Sequence, residues 1–148
     1  PMAIHRFTTT KRVRAGSAAD SASKMTFRLA SQLPPLEEPH WVLNLLNNLA
    51  RYVFKSGRWF EEYHWIPANG PIRADYPTDL VGLAFVLDPA LAPIDTPHGR
   101  VEFVQAFGIT SNELDRIKTK AATCEEVIRD QRTVNPLLVT DLDRRDAE

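Results

Sequence analysis

Two apolar runs constrain this chain most: "LVGLAFVL" at 80–87 and "VEFVQAFGI" at 101–109. The first is a continuous apolar run, and the second is apolar on most of both faces. A strand of this kind cannot have one side in water; it belongs in a sheet that is covered above and below. Turn residues bound both runs. Asp88–Pro89 closes the first, and Pro97–Gly99 precedes the second. The chain has 148 residues, enough for one domain with a substantial core and no staple.

The covering helices are legible too. From Trp41 to Lys55 the polar positions are Asn44, Asn47, Asn48, Arg51 and Lys55, a single wet seam on an apolar helix. Such a helix is expected to be mostly enclosed, lying on the sheet with neighbours beside it. Pro39 suits its first turn, Glu37 and Glu38 its positive end, and Gly57 its stop. "TSNE" (110–113) and "TCEE" (123–126) each match a capping box, opening helices to about 121 and 132. "SKMTFRLAS" (23–31) alternates, so it predicts a strand with Met25, Phe27 and Leu29 buried and Thr26 and Arg28 outward. "NPLLVTDL" (135–142) reads as a last strand. The fold class is α+β, a mixed sheet packed with helices.

Residues 1–22 read differently. Arg6, Lys11, Arg12 and Arg14 fall in one short stretch, and "AGSAADSAS" holds only small and polar residues. The stretch predicts a mobile arm or a poorly formed strand, with 23–148 as the domain proper. Met2 reads as a natural start and Pro1 as a vector remnant. The formal net charge of -1 gives no overall field for nucleic acid or an anionic membrane. No run is long enough to cross a bilayer as a helix, and no leader opens the chain. The lone Cys124 excludes an internal disulfide and fits a reducing, cytoplasmic setting.

Chemistry is sparse. The histidines at 5, 40, 64 and 98 lack metal-ligand spacing, so neither a metal nor a cofactor is expected. Cys124 stands in the first turn of a short helix with no histidine signature beside it. Asp88 reads as a turn residue, and Asp143, Arg144 and Arg145 as a surface charge cluster. The concentrated feature is aromatic: Trp59, Phe60, Tyr63 and Trp65 follow directly on the helix that ends at Gly57. Some of these rings can floor the core. Others can form a recognition surface, where Trp, Tyr and Arg carry most of the energy.

"MTFRL", "LLNNLARYVFKSG", "NGPI", "LAFVLDPALAPIDTPHGRVEFVQAFGIT" and "PLLVTDLDRR" occur in the order found in the Suppressor of fused family. The resemblance covers about residues 24–145. It implies a mixed sheet with helices and no catalytic apparatus. It also implies a protein or extended-peptide partner, taken as an added β-strand in the animal member, which serves Hedgehog signalling by binding a transcription factor. Bacterial relatives imply an immunity protein that neutralises a toxin encoded nearby, and this chain resembles that type. The family's contact tyrosine falls on Tyr52, and an acidic contact position falls on His64, a substitution that removes an acceptor. Family members carry a longer front portion. Its absence here predicts an unpaired sheet edge, through which the chain dimerises or borrows a strand.

The leading expectation is therefore a non-catalytic binding module using a strand edge with Tyr52, Trp59, Tyr63 and His64. The competing one is a hydrolase using His64 with Glu61 or Asp141. A third, nucleic-acid binding through the basic arm, predicts a steep salt dependence.

Overall fold

The computed structural model describes residues 3–14, 21–31, 40–57, 60–97 and 99–146. Among the described residues seven strands form one mixed sheet: β1 (Ala3–Arg14), β2 (Ser21–Ser31), β3 (Trp65–Pro67), β4 (Leu80–Leu87), β5 (Ile94–Thr96), β6 (Gly99–Thr110) and β7 (Thr140–Asp141). The described residues also form three helices: α1 (His40–Ser56), α2 (Ser111–Lys118) and α3 (Cys124–Val134). The spatial order is β1-β2-β6-β4-β3. β2 and β6 run parallel, and the other neighbours in that order are antiparallel. β5 pairs with the start of β6, and β7 lies parallel to the end of β2.

The two apolar runs are the inner strands β4 and β6, and alternation sends their residues to two cores. Leu83 and Phe85 of β4 and Val104 and Ala106 of β6 join Met25, Phe27 and Leu29 beneath α1. Ala84, Val86, Phe107 and Ile109 face the other way, against Leu114 and Ile117 of α2 and Val127 and Ile128 of α3. α1 contributes Val42, Leu46, Leu49 and Val53, each buried. Each such side chain stabilises by roughly 1.5–3 kcal/mol.

Both capping boxes form. The Glu113 N–H donates to Thr110 Oγ1 at 3.3 Å and the Thr110 N–H to Glu113 Oε1 at 2.9 Å. Both reciprocal bonds of Thr123 and Glu126 are 3.1 Å. Gly57 stops α1 with φ of 67°, its N–H donating to the Val53 carbonyl at 2.9 Å. Gly108 serves a different need: a Cβ there would lie 2.8 Å from Leu80 Cδ1 and 3.0 Å from Thr140 Cγ2.

Several expectations meet a different structure. Of residues 1–22, expected as a mobile arm or a poorly formed strand, 3–14 form the twelve-residue β1, because β2 offers it an antiparallel ladder from Ala3↔Ser31 to Arg14↔Ala22. α1 is not enclosed: Leu43, Tyr52 and Phe54 are 40, 51 and 80% exposed. The reason is placement, since α2 and α3 lie across the sheet and no described helix flanks α1. Thr26 and Arg28 do not face water; both are buried. Asp88 does more than turn the chain, because it pairs with that arginine. The last strand shrinks to Thr140–Asp141, because Asn135 closes a loop on Val139 through bonds of 2.8 and 3.0 Å. The expected helix-entry residues Glu37, Glu38 and Pro39, and His98, lie outside the described residues.

Beside the 135–139 loop is a buried polar knot. Arg28 Nη1 and Nη2 donate to Asp88 Oδ2 and Oδ1 at 2.9 and 2.8 Å. Thr26 Oγ1 donates to Asp88 Oδ2 at 2.7 Å, and the N–H groups of Ala90 and Leu91 donate to Oδ1 at 2.9 and 3.0 Å. Arg28 Nη1 also donates to Gln105 Oε1. Gln105 Nε2 in turn holds the Leu137 and Leu138 carbonyls at 3.0 and 2.7 Å. The knot ties β2, β4, β6 and the 135–139 loop together. Of the expected surface cluster at 143–145, Asp143 and Arg145 are exposed, and Arg144 is tucked in. Arg144 reaches Glu113 at 2.8 Å and the Gly108 carbonyl at 2.7 Å.

Candidate functional site

The aromatic segment wraps the β3 border of the sheet. Phe60 is buried on the α1 side and stacks on Phe85, centroids 3.9 Å apart. Tyr52, on the exposed flank of α1, stacks on Phe60 at 5.6 Å with the rings 15° from parallel. The three rings form a ladder from core to surface. Three residues later the chain has crossed the border: Tyr63 and Trp65 pack, half-buried, against the α2/α3 core. The crossing needs an unusual backbone, and Tyr63 has φ of 68°. Its N–H donates to the Phe85 carbonyl at 2.7 Å.

His64 stands exposed at the crossing. Its Nδ1 accepts from the Glu61 N–H at 3.2 Å, and its Nε2 lies 3.9 Å from Glu61 Oε2. Asp141 is not beside it. Asp141 belongs to β7, which pairs with β2, and β6 and β4 stand between β2 and β3. The structure thus brings Tyr52, Tyr63 and His64 to one border, on its two sides and its rim. Trp59 lies outside the described residues.

Backbone geometry at β3 is the feature that sequence reading could not supply. The Phe85 N–H donates to the His64 carbonyl and the Ala68 N–H to the Val81 carbonyl, both at 2.9 Å. In an antiparallel ladder with Ile66 opposite Leu83, these fix residues 64, 66 and 68 as the inward-bonding set. Trp65 N–H, Trp65 C=O and Pro67 C=O therefore point away from β4. Among the described residues they have no partner.

Reactive groups are not assembled here. Cys124 Sγ is 3.8 Å from the His64 carbonyl, and burial pushes its thiol up to about 11, far from thiolate at neutral pH. Among the described residues no three His, Cys, Asp or Glu side chains are grouped to hold a metal ion. No described helix is long and apolar enough to cross a membrane.

Fold and border together define a class: an α+β domain built on one two-faced mixed sheet that ends, among the described residues, in the short strand β3. The comparisons with known proteins narrow it. The family model described as Suppressor of fused protein (SUFU) matches residues 10–145. The human and mouse Suppressor of fused homologs are each 28% identical over 145 residues, covering 95% of this chain and 28% of theirs. Among solved structures, the Sufu-Fu complex superposes with a TM-score of 0.79 at 28% identity, over 92% of this chain and 62% of that one. Drosophila Suppressor of Fused gives 0.77 at 27%, over 92% and 34%. The chain belongs to the Suppressor of fused family. It spans about 28% of the length of the curated relatives it matches.

Proposed function

We propose that the chain is a non-catalytic protein-binding module that takes an extended segment of its partner along β3. The observation that carries this is the outward-facing Trp65 N–H and C=O, flanked by the exposed Tyr52 of a three-ring ladder. Backbone pairing supplies affinity in such additions, and the flanking rings supply selectivity. Tyr52, Trp59, Tyr63 and His64 are the contact residues of this reading. That a family relative was solved in a complex with Fu supports a protein as the partner. Within this reading, a bacterial toxin neutralised in the cytoplasm is the specific partner we favour. An edge left open also lets a second copy pair in the partner's absence.

Purification from the native host, followed by titration of the recovered partner, tests the reading. Tyr52→Ala and Trp59→Ala should each weaken binding by roughly tenfold or more, as ring anchors do. Unchanged affinity in both variants would remove the border from consideration. The exposed His64–Glu61 pair is the only part of the hydrolase reading that the described residues bring together. A His64→Ala variant that retains partner affinity but loses a hydrolytic activity would favour that alternative.

A further inference from the structure

α1 carries a second feature, which meets the border only at Tyr52. Trp41, Asn44, Leu45, Asn48, Arg51 and Tyr52 share one side of the helix, within a sector of about 120°. Opposite its first half stands the turn 72–75, and between them lies a groove of about 380 Å³. Leu45, Ile72 and the Trp41 ring make its floor. Arg73 makes its wall, the guanidinium carbon lying 5.8 Å from the Trp41 centroid and 5.4 Å from the Tyr76 centroid, with Asp75 fixing it at 2.8 Å.

Asn44, Asn48, Arg51 and Lys55 are exposed, and none has a side-chain partner among the described residues. α1 carries no carboxylate of its own. Asn44 and Asn48 are one turn apart, about 6 Å along the axis. An extended peptide repeats every two residues, about 6.7 Å. A carboxamide offers one acceptor and two donors, matching the N–H and C=O of a peptide unit. Two of them at this spacing suit successive same-side peptide units of an extended chain. From Trp41 to Tyr52 is about 16 Å along the helix, the length of about five extended residues. Cations stand at both ends of that path: Arg73 at the groove, and Arg51 and Lys55 toward the stacked rings.

We infer that the Trp41–Tyr52 side of α1 binds an extended acidic peptide segment, with Asn44 and Asn48 on its backbone and Arg73 and Arg51 on its carboxylates. The inference rests on the protein-binding reading and gives the partner's chemistry at a place distinct from β3.

The probe is a short fluorescein-labelled peptide of alternating Glu and Val, with a Lys–Val peptide as control, titrated by fluorescence polarisation. The acidic peptide should bind and weaken with added salt, and the basic one should not bind. Asn48→Leu should weaken binding roughly three- to tenfold, the loss of one or two hydrogen bonds. Arg73→Glu should weaken it roughly tenfold or more. Asn48 is exposed and Arg73 half-buried against two rings, so unchanged thermal unfolding must verify the fold of each variant. Amide NMR of the complex should shift the Asn44 and Asn48 side-chain signals. Equal binding of both peptides, no binding of either, or shifts confined to residues 63–67 would overturn the inference. The natural partner separates the two readings. If it loses affinity with Tyr52→Ala but not with Asn48→Leu or Arg73→Glu, the groove fails and the β3 border stands.

Discussion

Replacing Arg28 by Met leaves a buried carboxylate without its counter-ion. Asp88 has a side-chain exposure of 0% and Arg28 of 5%, so water cannot take the place of the guanidinium. The remaining donors to Asp88 are Thr26 and the two N–H groups at 90 and 91. Gln105 loses its donor as well. Removing one partner of a buried pair costs about 3–5 kcal/mol. For a domain of this size, that is a fall in melting temperature of about 6–20 °C. Urea unfolding followed by tryptophan fluorescence reads it directly. The pH profile gives a second, independent readout. In the parent protein, burial pushes the Asp88 carboxyl up, but Arg28, Thr26 and the Ala90 N–H together outweigh it and hold it below its ordinary value. A depressed carboxyl contributes stability above its unfolded value of about 3.9 and loses it as pH falls further. The parent should therefore weaken below about pH 4. In Arg28→Met the sign reverses: with burial dominant, the carboxyl rises, and stability falls as pH rises through the raised value. A cost below about 1 kcal/mol, or a profile parallel to the parent's, would refute the reasoning that this pair is desolvated and mutually dependent.

Three further outcomes follow from particular contacts. Gly108→Ala should cost about 1–3 kcal/mol in urea unfolding, because the new methyl meets Leu80 and Thr140 at once. Thr110→Ala should cost about 1 kcal/mol, the worth of a helix N-cap, and hydrogen exchange in the first turn of α2 should quicken. Cys124 should react with a disulfide reagent at neutral pH only through unfolding, since its thiol is buried and raised to about 11; rapid labelling of the native chain would contradict its placement.

Much of the scaffold was legible from local pattern. The runs at 80–87 and 101–109 announced inner strands, and the two Thr-x-x-Glu boxes placed α2 and α3, because those signals depend on neighbours in sequence. What failed depended on partners far along the chain. Arg28 looked outward because alternation alone cannot reveal Asp88, sixty residues away. Arg144 looked superficial because nothing local points to Glu113. β1 looked too polar to order, since its apolar content is low and its ladder is supplied by β2. Phe54 looked buried because a helix pattern shows which side is apolar but not whether a neighbour arrives to cover it. At the border, Tyr52 and His64 entered as candidates through family motifs, and the aromatic cluster through composition. The crossing of the chain at Tyr63 and the outward backbone of Trp65 were not, because register is a property of the pair, not of either strand.

The central claim concerns one amide. Hydrogen exchange should show the Trp65 N–H unprotected in the free chain while the Ile66 N–H, facing Leu83, is protected. On addition of the protein partner, Trp65 should become protected. Protection of Trp65 already complete in the free monomer, or unchanged in a complex shown to have formed, would contradict the account.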